Sequence, residues 1–87
     1  MATKTVKYNK TSIPDLPEDL AVLYRITTKT GGLNYVGVAA RRKVQDTILG
    51  NIGEIPGAKV KVEQCATVAD ARKKQKNILK RSPSRYN

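Results

Sequence analysis

The chain has 87 residues, of which 17 are Lys or Arg and seven are Asp or Glu, for a formal net charge of +10. That length holds one compact domain, which buries only about 60–65% of the surface its unfolded chain exposes. No apolar run approaches the roughly 18–20 residues that cross a membrane. The single Cys65 excludes an internal disulfide, and with no His there is no zinc-site spacing.

The opening stretch MATKTVKYNK has lysines and no apolar segment, so no secretory leader is expected and a cytoplasmic setting fits. Phe and Trp are missing, so the core must be drawn from Ile, Leu, Val, Ala and a few tyrosines. The charge is unevenly spread. Residues 71–87 hold seven basic residues and no acidic one, and residues 1–10 hold three lysines and no acid. Such an excess attracts a polyanion and makes binding salt-dependent; the plain alternative is a solvated charged surface.

In chain order, residues 1–20 form a lead-in segment ahead of a domain at 21–87. Two prolines and three acids between Ser12 and Asp19 work against regular hydrogen bonding, and Ile13 and Leu16 are expected to tuck against the domain. Residues 21–28 and 33–38 each suit a strand, joined by the turn Lys29-Thr30-Gly31-Gly32. A four-residue loop pairs 28 with 33, hence 26 with 35 and 24 with 37. Tyr24, Ile26, Tyr35 and Gly37 then share one face, with Gly37 leaving room above the Tyr24 ring. Residues 40–50 suit a short helix with Val44 and Ile48 inward. Residues 58–65 alternate Ala58, Val60 and Val62 with Lys59, Lys61 and Glu63, a strand with one charged face. Thr67 caps a last helix that runs to about Lys80. Its inward stripe is Val68, Ala71, Gln75, Ile78 and Leu79, where Gln75 is the polar exception that needs a partner or faces a site. The expected architecture is α/β (α+β): a small three-stranded, largely antiparallel sheet flanked by helices.

At Val22-Leu23-Tyr24 and Tyr35-Val36-Gly37 the chain resembles the GIY-YIG endonuclease superfamily, whose two motifs lie on adjacent strands about ten residues apart. The stretch from Gln75 to Lys80, followed by Pro83 and Tyr86-Asn87, looks like the closing helix and tail of that family. The resemblance implies a GIY-YIG-like fold and a nucleic-acid partner, DNA before RNA. It also implies cleavage of phosphodiesters with one divalent metal, so Mg²⁺ or Mn²⁺ is the cofactor of an active form. Carried over, Tyr24 and Tyr35 are the tyrosines beside the scissile phosphate, and Arg42 or Arg41 is the phosphate-stabilising arginine. Gln75 stands at the position of the metal-binding glutamate. A neutral amide brings no negative charge to a hard cation, and Val22 replaces the first-motif glycine, so weak or absent hydrolysis is expected.

Three functions are therefore open: a nucleic-acid-binding domain without catalysis, a working minimal endonuclease, and a protein-binding or inhibitory module on the same scaffold. In the first, phosphates cross the face that carries Tyr24, Tyr35 and Arg41 or Arg42, with the tyrosine rings stacking on exposed bases. Lys73, Lys74, Lys76, Lys80 and Arg81 on the last helix extend the field. No metal ligand set is assigned, and no membrane partner is expected.

Overall fold

The computed structural model describes residues 3–82 and 84–86; Pro83 and Asn87, which belong to the family-like tail, lie outside the described residues. The chain forms strands β1 (Thr3–Lys7), β2 (Ala21–Thr27), β3 (Leu33–Ala39) and β4 (Lys59–Cys65). Helix α1 spans Val44–Asn51 and helix α2 spans Val68–Arg81, with a 3₁₀ turn at Ile13–Asp15. The strands make one antiparallel sheet in the order β1-β4-β2-β3.

The sheet has four strands, not three. Residues 3–7 are not an irregular lead-in but an edge strand paired with β4 from Thr3↔Glu63 to Lys7↔Lys59. Within this segment only Val6 is apolar, so hydrophobic alternation gives little sign of a strand. What forms it is the free edge of β4, a template that Thr and Val suit well. Ile13 and Leu16 do tuck in, at 0% and 3% exposure.

The β2–β3 hairpin has the expected pairs Tyr24↔Gly37 and Ile26↔Tyr35, and an irregularity after Ile26 brings Thr27 opposite Leu33. A side chain at position 37 would overlap the Tyr24 ring and hydroxyl, and its Cβ would lie 2.7 Å from Tyr35 Cε2. Only glycine lets both rings pack there. Helix α1 begins four residues later than expected. Arg42 adopts a left-handed conformation (φ 65°), which an α-helix does not accommodate. The Lys43 amide closes a turn onto the Ala40 carbonyl at 2.9 Å. Thr67 caps α2 as expected, accepting the Asp70 amide at 3.1 Å.

Successive side chains of a strand point to opposite faces, and the two helices divide those faces. On the α1 side, Val22, Tyr24 and Ile26 join Ile13, Leu16, Ala39, Val44, Ile48, Val60 and Val62 in the larger core. On the α2 side, Leu23, Val36, Cys65 and Ala71 form a smaller one, flanked by Leu33, Val38, Ile78 and Leu79. No helix among the described residues is long and apolar enough to cross a membrane.

Candidate functional site

The α1 face carries the tyrosines. Tyr24 is 2% exposed, its ring centroid is 5.9 Å from that of Tyr35, and its hydroxyl accepts the Asn51 Nδ2 amide at 2.6 Å. Burial, with Tyr35 alongside, pushes its ionisation well above the ordinary tyrosine range, and the Asn51 bond offsets only part of that. A general base is useful when its pKa lies near the working pH. Tyr24 is held neutral and out of solvent, so it acts here as a core residue with an anchored hydroxyl. Tyr35 is half-buried over the same core.

Arg41 and Arg42 lie in the turn before α1, and with Glu18 and Asp19 they line a depression of about 440 Å³. The segment before β2 is strapped to this turn. The Arg42 amide donates to the Glu18 carbonyl at 2.9 Å. Gln45 Nε2 donates to the Pro14 and Leu16 carbonyls, each at 3.0 Å. The Glu18 carboxylate receives the Gln45 amide at 3.4 Å, serving an N-terminus whose own cap residue, Lys43, supplies no side-chain bond. Two guanidinium groups thus share their surroundings with two carboxylates, which weakens any attraction for an external anion.

Gln75 is on the other side of the sheet. Its Nε2 donates to the Val36 carbonyl at 2.9 Å, so the polar exception on the inward stripe of α2 caps a carbonyl of edge strand β3. The tail lies along the same edge, where the Tyr86 amide donates to the Asn34 carbonyl at 2.8 Å. The fold therefore brings Tyr24 and Tyr35 together and places Arg41 and Arg42 on the same side. It does not bring Gln75 to them.

Whether these residues suit a divalent metal can be judged from their donors. Mg²⁺ and Mn²⁺ require hard, preferably anionic oxygens. The partner of Tyr24 is an amide, and Gln75 is turned to a carbonyl as a donor. Among the described residues no group of three Cys, Asp or Glu side chains gathers to hold an ion. The donor set does not fit the metal.

The α2 face is different. Helix α2 packs over β2 and β3 and leaves much of β1 and β4 open, with Thr3, Thr5, Lys7, Lys59 and Lys61 all exposed. Register sets two rows across this floor, Thr5–Lys61–Arg25 and Lys7–Lys59–Thr27. Beside it, α2 carries Arg72, Lys73, Lys74, Lys76, Lys80 and Arg81. The carboxylate on this floor is Glu63, bonded to Lys74 Nζ. That bond holds Glu63 below the usual carboxylate range and raises Lys74. Arg25 and Arg81 line a second depression, of about 350 Å³, with Thr27, Gly31, Leu33, Ile78 and Ser82.

Sequence reasoning picked out Lys73, Lys74, Lys76, Lys80 and Arg81 on α2 but did not include Arg72, Lys7, Arg25, Lys59 or Lys61 in the site. The signal was present in the period-two alternation of residues 58–65, which marks one face of that strand as charged. What was missing was β1, which widens this face, and the register that sets Arg25 beside Lys61.

Fold and surface together define a small basic α+β protein with a four-stranded antiparallel sheet and one strongly cationic face. Comparison of the chain with protein-family models and curated proteins, and of its fold with solved structures, finds no match.

Proposed function

We propose that the chain is a nucleic-acid-binding domain of GIY-YIG type that has lost phosphodiester hydrolysis. The observation that carries the binding half of this reading is the separation of charge. Five of the seven carboxylates, Asp15, Glu18, Asp19, Asp46 and Glu54, belong to the segment before β2, to α1 and to the turn after it. The α2 face keeps ten cations, four on the strands and six on the helix, beside Glu63 and Asp70. A surface of one sign next to a low-dielectric body attracts phosphate and releases its counterions, and this dominates affinity for nucleic acid.

The family half rests on the hairpin, where the two motifs pair through Tyr24↔Gly37, and on Tyr86, which joins the strand of the second motif. Loss of hydrolysis is supported by the buried, neutral Tyr24 and by an amide at position 75 that is engaged as a donor. Arg41 and Arg42, set among carboxylates, leave the main phosphate contact to the α2 face.

The test is a titration of labelled duplex, single-stranded and branched DNA, and of RNA, with and without Mg²⁺ or Mn²⁺, reading retention and product length together. Salt-sensitive retention of intact strands is expected. Metal-dependent cutting that Tyr35→Phe abolishes would overturn the loss of catalysis. Absence of binding to all four substrates would overturn the reading and favour a protein partner.

A further inference from the structure

The floor of the α2 face contains an electrostatic conflict. Lys61 stands directly opposite Arg25, and Lys7 directly opposite Lys59. Side chains directly opposite on antiparallel strands have Cβ atoms about 4.5–5.5 Å apart, and like charges there are destabilising. Among the described residues the carboxylate at hand, Glu63, is bonded to Lys74; it is close enough to Arg25 for their charges to attract but is bonded to none of these four. Two like-charge pairs in adjacent rows of one sheet lower the stability of the free protein, and an anion lying across them relieves the repulsion.

We infer that these two rows, continued by Arg81, form a track for the phosphate backbone of one strand of a nucleic-acid duplex. The inference rests on the nucleic-acid-binding reading and specifies its footprint and substrate class. Rows two residues apart along a strand are about 6.8 Å apart, close to twice the 3.4 Å axial spacing of phosphates on one strand of a duplex. Every polar side chain that faces outward across these two rows is Lys, Arg or Thr, types that contact phosphate oxygens. Arg25 and Arg81 line one depression without a carboxylate in its lining, flanked by the small groups of Thr27, Gly31 and Ser82. Two guanidinium forks there suit a single phosphate group.

The same floor argues against single strands. Sequence-tolerant binding of a single strand depends on bases stacking on aromatic rings. Tyr8, Tyr24 and Tyr35 all pack with the core on the opposite face, and Tyr86 sits at the β3 edge, where its amide bonds Asn34. The track reads backbone, so affinity is expected to vary little with duplex sequence.

The experiment pairs stability with binding for Lys61→Glu, Arg81→Gln and the charge-matched control Lys43→Glu. Lys43 is exposed at the start of α1, away from this face. Lys61→Glu replaces a repulsive cross-strand pair with an attractive one, so its Tm is expected to rise by roughly 1–5 °C. Its affinity for a duplex of about 20 base pairs should fall by about tenfold or more at 0.1 M salt, with the salt slope shallower by about 0.9 or more. Arg81→Gln, at an exposed helix end, should leave Tm unchanged and reduce the slope by about 0.9. Lys43→Glu should do clearly less to affinity than Lys61→Glu. Wild-type protein should hold the duplex more tightly than a single strand of equal phosphate count, with tyrosine fluorescence unchanged.

If the wild type binds but Lys61→Glu and Lys43→Glu weaken it equally, the track is wrong and the general reading stands. Tighter binding of single strands with quenched tyrosine fluorescence would also overturn the track. If the wild type binds neither duplex nor single strand, the nucleic-acid reading itself fails.

Discussion

The two faces of the sheet differ in what they do with polar groups. On the α1 face several are tied to local partners: Tyr24 to Asn51, Tyr8 to the Ile55 carbonyl, Gln45 to the Pro14 and Leu16 carbonyls. Arg41 and Arg42 share a depression with Glu18 and Asp19. This face holds the larger core. On the α2 face the core is four buried residues and their flanks, and the cations of β1, β4 and β2 oppose one another across the register. The difference separates two tasks that a basic 87-residue chain must combine. Apolar burial on one side supplies stability, and the other side concentrates positive potential at some expense of it.

The largest effect that tests this division is expected at Tyr24. Its ring fills the larger core beneath Gly37, so Tyr24→Ala should destabilise the fold by about 3–5 kcal/mol, within the range for aromatic truncations. A domain of this size has a total stability of about 5–15 kcal/mol or less, so much of the variant is expected to be unfolded near 37 °C. Urea denaturation of Tyr24→Ala beside Tyr24→Phe checks it. The Phe variant keeps the ring and loses the hydroxyl's bonds to Asn51 and Tyr35, leaving a part-buried amide with a cost of about 1–3 kcal/mol. If both variants stay folded and lose only nucleic-acid affinity, Tyr24 is a contact residue and the division of labour is wrong.

Gln75→Glu is expected to act less strongly. Where Gln75 Nε2 donates to the Val36 carbonyl, the new carboxylate would set an acceptor against an acceptor, costing about 1–3 kcal/mol at neutral pH for a half-buried group. The new carboxyl should titrate above its ordinary range, because only its protonated form can donate to that carbonyl. Its unfolded pKa is near 4.3, so the penalty is largest above the folded value and is relieved as pH falls through it. Denaturant melts at pH 7 and pH 4 measure this. A Tm that instead rises on adding Mg²⁺ would show a metal ligand at position 75 and restore the position of the catalytic glutamate.

How far the sequence announced these features depends on the kind of information each one needs. The turn of the hairpin was not legible, since Thr27 and not Thr28 stands opposite Leu33 and the Thr28 amide bonds the Gly32 carbonyl. The pairs Tyr24↔Gly37 and Ile26↔Tyr35 were, because two short apolar runs around a Gly-Gly pair are a local signal. The Thr67 cap was legible for the same reason. β1 was not, since a strand with one apolar residue is defined by the edge it joins, which lies 52 to 60 residues further along the chain, from Lys7↔Lys59 to Thr3↔Glu63. The start of α1 was misplaced because helix propensity does not record that Arg42 turns left-handed. The Tyr-Arg-Gln site was what the family resemblance implied, and the sheet put Gln75 on the other side from the tyrosines. Lys59 and Lys61 were visible as one charged face; that Arg25 and Lys7 stand beside them is a property of tertiary register alone.

The smallest expected effect is also the most selective probe of the α2 face. Lys74 is bonded to Glu63, which both lowers the Glu63 pKa and raises that of Lys74. A lowered carboxylate contributes stability above its unfolded pKa near 4.3, and that contribution is lost as pH falls through the folded value. The raised lysine contributes below its own unfolded pKa, and this is lost as pH climbs through the folded one. In Glu63→Gln both contributions vanish together, and Tm at pH 7 should drop only slightly because the pair is partly open to solvent, which screens it. Duplex affinity should move the opposite way. The substitution removes the carboxylate beside the Lys61–Arg25 row and releases Lys74 toward the ligand, so the salt slope should steepen by up to about 0.9. Lower stability with tighter, more salt-sensitive binding is what a surface that trades one for the other requires. A variant that loses both would mean that the Lys74–Glu63 pair shapes the binding surface instead of competing with the ligand.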